Sequence, residues 1–442
     1  MRPLVSASML AALGCAAAAQ NRLSDGQQVV DGDVTEFAIG GATVLVKRLP
    51  HQPVTSCQLF IRGGVRNWSA TNAGVEKLAL ESAINGGIDG MSKPTFQGRL
   101  AALGTQLGAE SGEDYALIGF KSLDRNFVES FKLMVAAFRF PQLPDGEIAL
   151  QRQLMLSELR AEEENPDGLL SKLLHAQLYR GLPYAWRAEG TPATLASLTR
   201  QDLVQHLARL RETSRLVLIV VGNVDPGEVA QLARRAFGDL PRGRYVETRL
   251  QAPQPEASSA DLIDRPLPTH YLIEAFPAPT WGDADLAVGV VAMNALREKL
   301  FEEVRTRREL SYAPSAGLSP RGLGEGYLYV TAVDVAKTQG VMQEVVREYQ
   351  AGRIDPERLE GDKRIFLTNF LMQSETTGGQ GDLLAGAELI GGDWRLGRDL
   401  PARVKRVRAA EVAAFLSRYL RNLQIIMLGK TEGLNPRQFE GM

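Results

Sequence analysis

The sequence predicts an α+β fold made of two similar halves, each a mostly antiparallel sheet packed with helices. Three observations lead there. "TRQDLVQHLARLRETSRLVLIVVGN" (199–223) returns late in the chain as "RAAEVAAFLSRYLRNLQIIMLGK" (408–430). Both carry an acidic residue, a helix with apolar spacing and a continuous apolar strand closed by glycine, which reads as the end of a repeated unit. Each half opens with strands and continues with long helices instead of alternating them regularly, which favours antiparallel sheets over a doubly wound parallel one. Between the halves, "PRGRYVETRLQAPQPEASSAD" (241–261) is polar and punctuated by proline, as suits a linker.

Taken in order, "MRPLVSASMLAALGCAAAAQ" has one early arginine, an apolar run from Leu4 to about Leu13 and an Ala-x-Ala step at Ala17 to Ala19. Residues 1–19 therefore read as a secretory signal, too short for a stable membrane span. Export to the periplasm or medium is preferred to lipid anchoring at Cys15, because Ala12 stands where a lipoprotein box usually has leucine. The first domain is placed at 34–240. It begins with alternating strands, "EFAIGGATVLVKRL" and "TSCQLFIRGGV", and goes on to the amphipathic helices "NFVESFKLMVAAFRF" and "GEIALQRQLMLSELRAEEE". A linker at 241–260 leads to the second domain, 261–432, with strands "THYLIEAF" and "GYLYVTAVDV" before its helices.

With 50 basic and 52 acidic side chains in 442 residues, charge gives no reason to expect a nucleic-acid partner. No later run approaches membrane length, so no membrane span is expected. Once the signal is removed Cys57 is the only cysteine, in the alternating strand "VTSCQLFI", and reads as a small buried apolar residue.

The stretch that carries chemistry is "GGVRNWSATNAG", followed by the helix "VEKLALESAIN" and a double glycine. On that helix Val75, Leu78, Ala79 and Ser82 fall on one stripe, and Lys77, Leu80, Glu81 and Ile84 on another. These surroundings resemble the pitrilysin and insulinase family of zinc peptidases, the inverzincins, in which Gly-x-Arg leads through a loop into a helix bearing His-x-x-Glu-His. On that frame Lys77 stands at the first His, Leu80 at the general-base Glu and Glu81 at the second His. Glu158 in "LMLSELRAEEENPD" stands at the distal Glu ligand, and Gln151 at a further acidic position. "LYRGLPYAWRAEGT" resembles the family's Pro-Tyr and Gly-Thr loop, and "GAESGEDYALIGF" (108–120) its substrate-accepting edge strand.

Zinc in such a site needs neutral imidazoles, a carboxylate and an open position for water. A protonated lysine opposes a dication, and leucine cannot accept a proton. No pair of the four histidines has ligand spacing, so no metal is expected on this chain. Two readings of the charged remnants follow: an i,i+4 pair of Lys77 with Glu81 on a solvated face, or Lys77 in the cation's place between Glu81 and Glu158.

In the second half "LFEEVRTRRELSYAPSAG" (300–317) resembles the family's Arg-x6-Tyr signature, with Arg305 and Tyr312 at the matching positions. A permanently charged fork and a phenolic donor can both meet a developing oxyanion. The resemblance implies two homologous domains forming half of a clam-shell chamber, and a non-catalytic subunit whose Arg305 and Tyr312 hold peptide in the site of a homologous zinc-binding partner. The alternatives are a structural or peptide-holding scaffold of the same fold, and a self-sufficient zinc peptidase, which the missing ligands argue against. "ETTGGQGDLLAGAELIGGDW" (375–394) lacks a Walker lysine and reads as a flexible glycine-rich loop.

Overall fold

The computed structural model describes residues 23–441; the expected signal, residues 1–19, and Cys15 lie outside them. The first half contains β1 (Gln28–Asp31), β2 (Val34–Ile39), β3 (Ala42–Arg48), β4 (Val54–Arg62), β5 (Gly87–Ile88), β6 (Met91–Ser92), β7 (Gln106–Ser111), β8 (Tyr115–Leu123) and β9 (Leu216–Gly222). Its helices are α1 (Val75–Asn85), α2 (Lys93–Ala102), α3 (Phe127–Arg139), α4 (Asp145–Glu164), α5 (Pro166–Leu178), α6 (Pro192–Ser197), α7 (Arg200–Leu210) and α8 (Pro226–Phe237). The second half adds β10 (Ser259–Asp264), β11 (His270–Pro277), β12 (Ser315–Ser319), β13 (Glu325–Ala332) and β14 (Gln424–Gly429). With them come α9 (Leu286–Leu300), α10 (Val335–Gln350), α11 (Pro356–Gln373), α12 (Thr377–Gly386), α13 (Arg395–Lys405) and α14 (Ala409–Tyr419).

The fold class is the α+β arrangement that the sequence predicts. One sheet has the order β1-β2-β3-β9-β4-β8-β7 and the other β10-β14-β11-β13-β12. In the strand run β3-β9-β4-β8-β7 the first pair is parallel and the next three antiparallel. The second sheet repeats that pattern from end to end.

Each half lends a helix to the other. Strand β9 is buried at every position, because Leu218 and Val220 meet the large core with Leu78, Phe131 and Phe237, while Val217, Ile219 and Val221 face Leu384, Leu389 and Trp394 from the second half. A strand covered on both faces needs an uninterrupted apolar run, which is what "LVLIVVG" supplies. Reciprocally, Leu170, Leu174 and Leu178 of α5 join Ile273, Ala275, Ile426 and Leu428 of the second sheet. Matching caps start the exchanged helices: Asn165 for α5 and Thr376 for α12.

The glycine-rich stretch is therefore no loop. It forms α12 and a π-helical turn, Ala387–Gly391. Its glycines allow close approach: a Cβ at Gly381 would collide with Gln58 of β4 and one at Gly386 with Trp281 in the loop before α9. Buried Arg62 pins this turn through Glu388 at 3.0 Å and the Leu389 carbonyl at 3.2 Å.

The described structure reaches past the expected domain edges. Strand β1 precedes residue 34 and pairs with β2, and Phe439, beyond residue 432, is fully buried in the second core. The linker is strapped down: Arg66 Nη2 donates to the Thr248 carbonyl at 2.9 Å, Arg215 lies over the Tyr245 ring at 4.0 Å, and Arg249 pairs with Asp283 at 2.8 Å.

Candidate functional site

Helix α1 starts where Gly74 takes a left-handed φ of 93°, a conformation that glycine adopts freely. Lys77, on its first turn, reaches across to α4 and pairs with Glu158 at 2.7 Å. Glu81 makes no such bond; its Oε2 accepts from Asn85 Nδ2 at 3.4 Å. Burial pushes the Glu81 carboxyl above its ordinary range, with Lys77 opposing and Glu158 and Glu110 reinforcing the shift. The structure thus brings Lys77 and Glu158 together, with Glu81 inside their field, rather than forming the i,i+4 pair. Leu80 is fully buried, so the base position belongs to the core. Gln151 is buried and donates to Glu147 at 2.8 Å.

Lys77 and Glu158 line a cleft of about 250 Å³ with Leu159, Glu162, Arg187 and Glu189. Arg187 clamps Glu162 with two hydrogen bonds of 2.8 and 2.7 Å and reaches Glu189 at 3.2 Å. The residues do not fit zinc. The ammonium sits on the one carboxylate matching the distal ligand, and among the described residues no three His, Cys, Asp or Glu side chains come together to hold a metal ion. Because Glu158 is 61% exposed, Lys77→Met is expected to cost at most about 1 kcal/mol. A melting midpoint lowered well beyond that range would show that Lys77 bears more of the fold than its contacts indicate.

What sequence reasoning missed lies one residue earlier. Glu76 is fully buried; its Oε2 accepts from Asn67 Nδ2 at 2.9 Å, its Oε1 accepts from Ser111 Oγ at 3.1 Å, and His206 Nε2 of α7 lies 3.0 Å from Oε2. Asn67 in turn accepts from Arg215 at 2.8 Å. The available signal was His206 on the apolar stripe of α7 with Leu203, Leu207 and Leu210; nothing local tied it to a glutamate 130 residues away.

Arg305 and Tyr312 stand together at the far end of α9. A π-helical turn, Phe301–Thr306, follows that helix, and Glu309 takes a left-handed φ of 53°, two departures from regular geometry that concentrate at functional positions. Arg305 Nη1 donates to the Tyr312 carbonyl at 3.3 Å, and its guanidinium lies 4.8 Å from the Phe301 ring centre and 5.9 Å from that of Tyr312. Tyr312 is 87% exposed, in the loop before β12 rather than within a strand. The neighbouring cations are all committed. Arg307 binds Glu302 at 2.5 Å, Arg308 binds Glu303 at 2.5 Å, Lys299 binds Glu303 at 2.8 Å, and Arg358 binds Glu302. Burial opposes the charge on Glu303, but Lys299 and Arg308 outweigh it and hold the carboxyl down at about 2. Among the described residues Arg305 has no carboxylate partner, and no hydrogen bond or ion pair joins it to the Lys77 cleft.

The expected edge strand lies in β7 and β8, and β7 borders its sheet. Cys57 is buried, and burial pushes its thiol pKa up. A larger cleft of about 360 Å³ lies in the second half between α9, β12 and α11, where Asn369 and Gln373 offer amides rather than carboxylates. No described helix is long and apolar enough to cross a membrane.

Comparison with known proteins agrees with this geometry. The family profile described as "Insulinase (Peptidase family M16)" matches residues 43–191, and "Peptidase M16 inactive domain" matches 197–366. The chain is 25% identical over 241 residues to cytochrome b-c1 complex subunit 1 of Bos taurus, covering 53% of this chain and 49% of that one. It is 25% identical over 291 residues to an uncharacterized zinc protease of Mycobacterium leprae, covering 63% and 64%. These alignments span only about half to two thirds of the relatives' length. A solved structure from Pseudomonas fluorescens, described as a peptidase M16 inactive domain, superposes with a TM-score of 0.83 at 21% identity, covering 91% of this chain and all of that one. The likeness in fold, the two matching profiles and the lysine and leucine in place of His and Glu lead to one assignment: the chain belongs to the insulinase family of M16 peptidases, as a member without the metal-binding residues.

Proposed function

We propose that this chain is the non-catalytic subunit of a heterodimeric zinc metallopeptidase. It is exported by residues 1–19, and Arg305 and Tyr312 position peptide in the active site of a homologous partner that holds the zinc. One observation carries the reading: in a run of cations neutralised by Glu302 and Glu303, Arg305 alone, among the described residues, has no carboxylate partner, and it stands beside the exposed Tyr312. A guanidinium fork with no carboxylate partner, exposed beside aromatic rings, is well suited to a planar oxygen acceptor. The test is reconstitution with the zinc-binding homologue. Arg305→Ala and Tyr312→Phe are expected to lower kcat/KM for peptide hydrolysis by about tenfold or more without loss of folding. Undiminished hydrolysis in both variants ends the shared-site proposal.

The similarity to cytochrome b-c1 complex subunit 1 favours a second reading, a structural subunit of a larger assembly. A stable complex that binds peptide without cleaving it, indifferent to Arg305, supports that alternative.

A further inference from the structure

We infer that Phe301 is the positioning residue for Arg305: its ring holds the guanidinium beside Tyr312. The inference rests on the role proposed above for Arg305 and adds a residue that acts only through it. Phe301 is 41% exposed, so its ring is open on one side to a neighbouring cation. Its ring centre lies 4.8 Å from the Arg305 guanidinium carbon, inside the range of cation–π attraction. The two residues stand four apart on the π-helical turn, with the guanidinium carbon over the ring.

The carboxylates near Arg305 in sequence do not hold it in place. Glu302 stands three residues before Arg305 and Glu309 four after, both spacings at which a helical arginine ordinarily finds an acid. Glu302 is already shared among Arg307, Arg358 and Lys299, and Glu309, on left-handed backbone, makes no ion pair with Arg305. Phe301 and the Tyr312 ring then occupy the flanks of the guanidinium, and the Tyr312 carbonyl takes one of its N–H groups. Without the Phe301 ring the fork loses the face it rests on and keeps only the Tyr312 carbonyl, so that it no longer stands fixed beside Tyr312.

The experiment uses the full chain paired with its zinc-binding homologue and a quenched fluorescent peptide mixture of random sequence. Phe301→Ala is expected to lower kcat/KM by about two- to fivefold, the scale of an exposed cation–π contact, and Phe301→Trp to restore it. In the chain alone, the Arg305 Nε–Hε resonance, displaced by ring current, is expected to shift in Phe301→Ala while the melting midpoint stays in place. An unchanged kcat/KM in Phe301→Ala, with Arg305→Ala impaired, overturns the inference and leaves the role of Arg305 standing. If Arg305→Ala is itself silent, the proposed function has failed, so the two failures are separable.

Discussion

Glu76→Leu is expected to destabilise the first half by about 3–5 kcal/mol, the cost of removing the shared acceptor of a buried hydrogen-bond network. The carboxylate it deletes is fully buried and serves three elements: Asn67 in the loop before α1, Ser111 at the end of β7, and His206 on α7. Leucine fills the volume but accepts nothing, leaving the buried His206 imidazole and the part-buried Asn67 and Ser111 donors without their acceptor, at up to about 1–3 kcal/mol each. For a domain of this size the midpoint should fall by on the order of 10 °C. Adding His206→Phe removes one of the stranded groups, and the double variant should recover part of the loss, giving a coupling energy that the two singles alone cannot. A single variant within about 1 kcal/mol of wild type would falsify the view that this network fixes α1.

The network bears on why a peptidase helix survives without its chemistry. In this chain α1 is tied to α7 and β7 through Glu76 and to α4 through the Lys77–Glu158 pair. The first tie is buried and the second half-exposed, so the weight falls on Glu76. Lys77 is then free to vary in a way that Glu76 is not, although only Lys77 stands at a family ligand position.

How much of this was legible in the sequence depends on whether the determining contacts are local. Period-two and period-3.6 patterns placed the strands and α3, α4 and α7 well, because burial on one face writes itself into neighbouring residues. The repeated helix–strand unit likewise announced the matching sheets. The glycine-rich stretch failed for the opposite reason: α12 owes its glycines to the sheet of the other half, pressed against Gln58 and Lys121, and composition alone reads such a segment as a loop. Arg305 and Tyr312 were legible as a motif, but their isolation from carboxylates was not, since it depends on Glu302 being drawn to Arg358 far along the chain. Residue 432 was a natural stopping point after the last apolar strand; that Phe439 returns to the second core has no periodic signature in so short a tail.

The second large effect concerns pH. Glu274, at the centre of β11, is fully buried; its Oε1 accepts from Gln339 Nε2 at 2.5 Å, and its Oε2 has no hydrogen-bond partner among the described residues. Burial pushes this carboxyl up to about 7, with the Gln339 hydrogen bond opposing the shift. Because the folded-state pKa lies above the unfolded one, the protonated acid contributes stability that is fully present below about pH 4.5 and is lost as pH rises through about 7. Wild type should therefore lose roughly 2–3 kcal/mol between about pH 5 and about pH 8 from this group alone, whereas Glu274→Gln should be nearly flat over that interval. The two stability curves should diverge on the alkaline side, with the glutamine variant the more stable. Gln339 also donates to the Phe439 carbonyl at 3.0 Å, so ionisation of Glu274 competes for the amide that holds the C-terminal turn. Faster amide exchange around Phe439 at alkaline pH, abolished by Glu274→Gln, would locate the loss in that turn; parallel pH curves for the two proteins would mean that the carboxyl finds a partner on ionising and that the second core tolerates its charge.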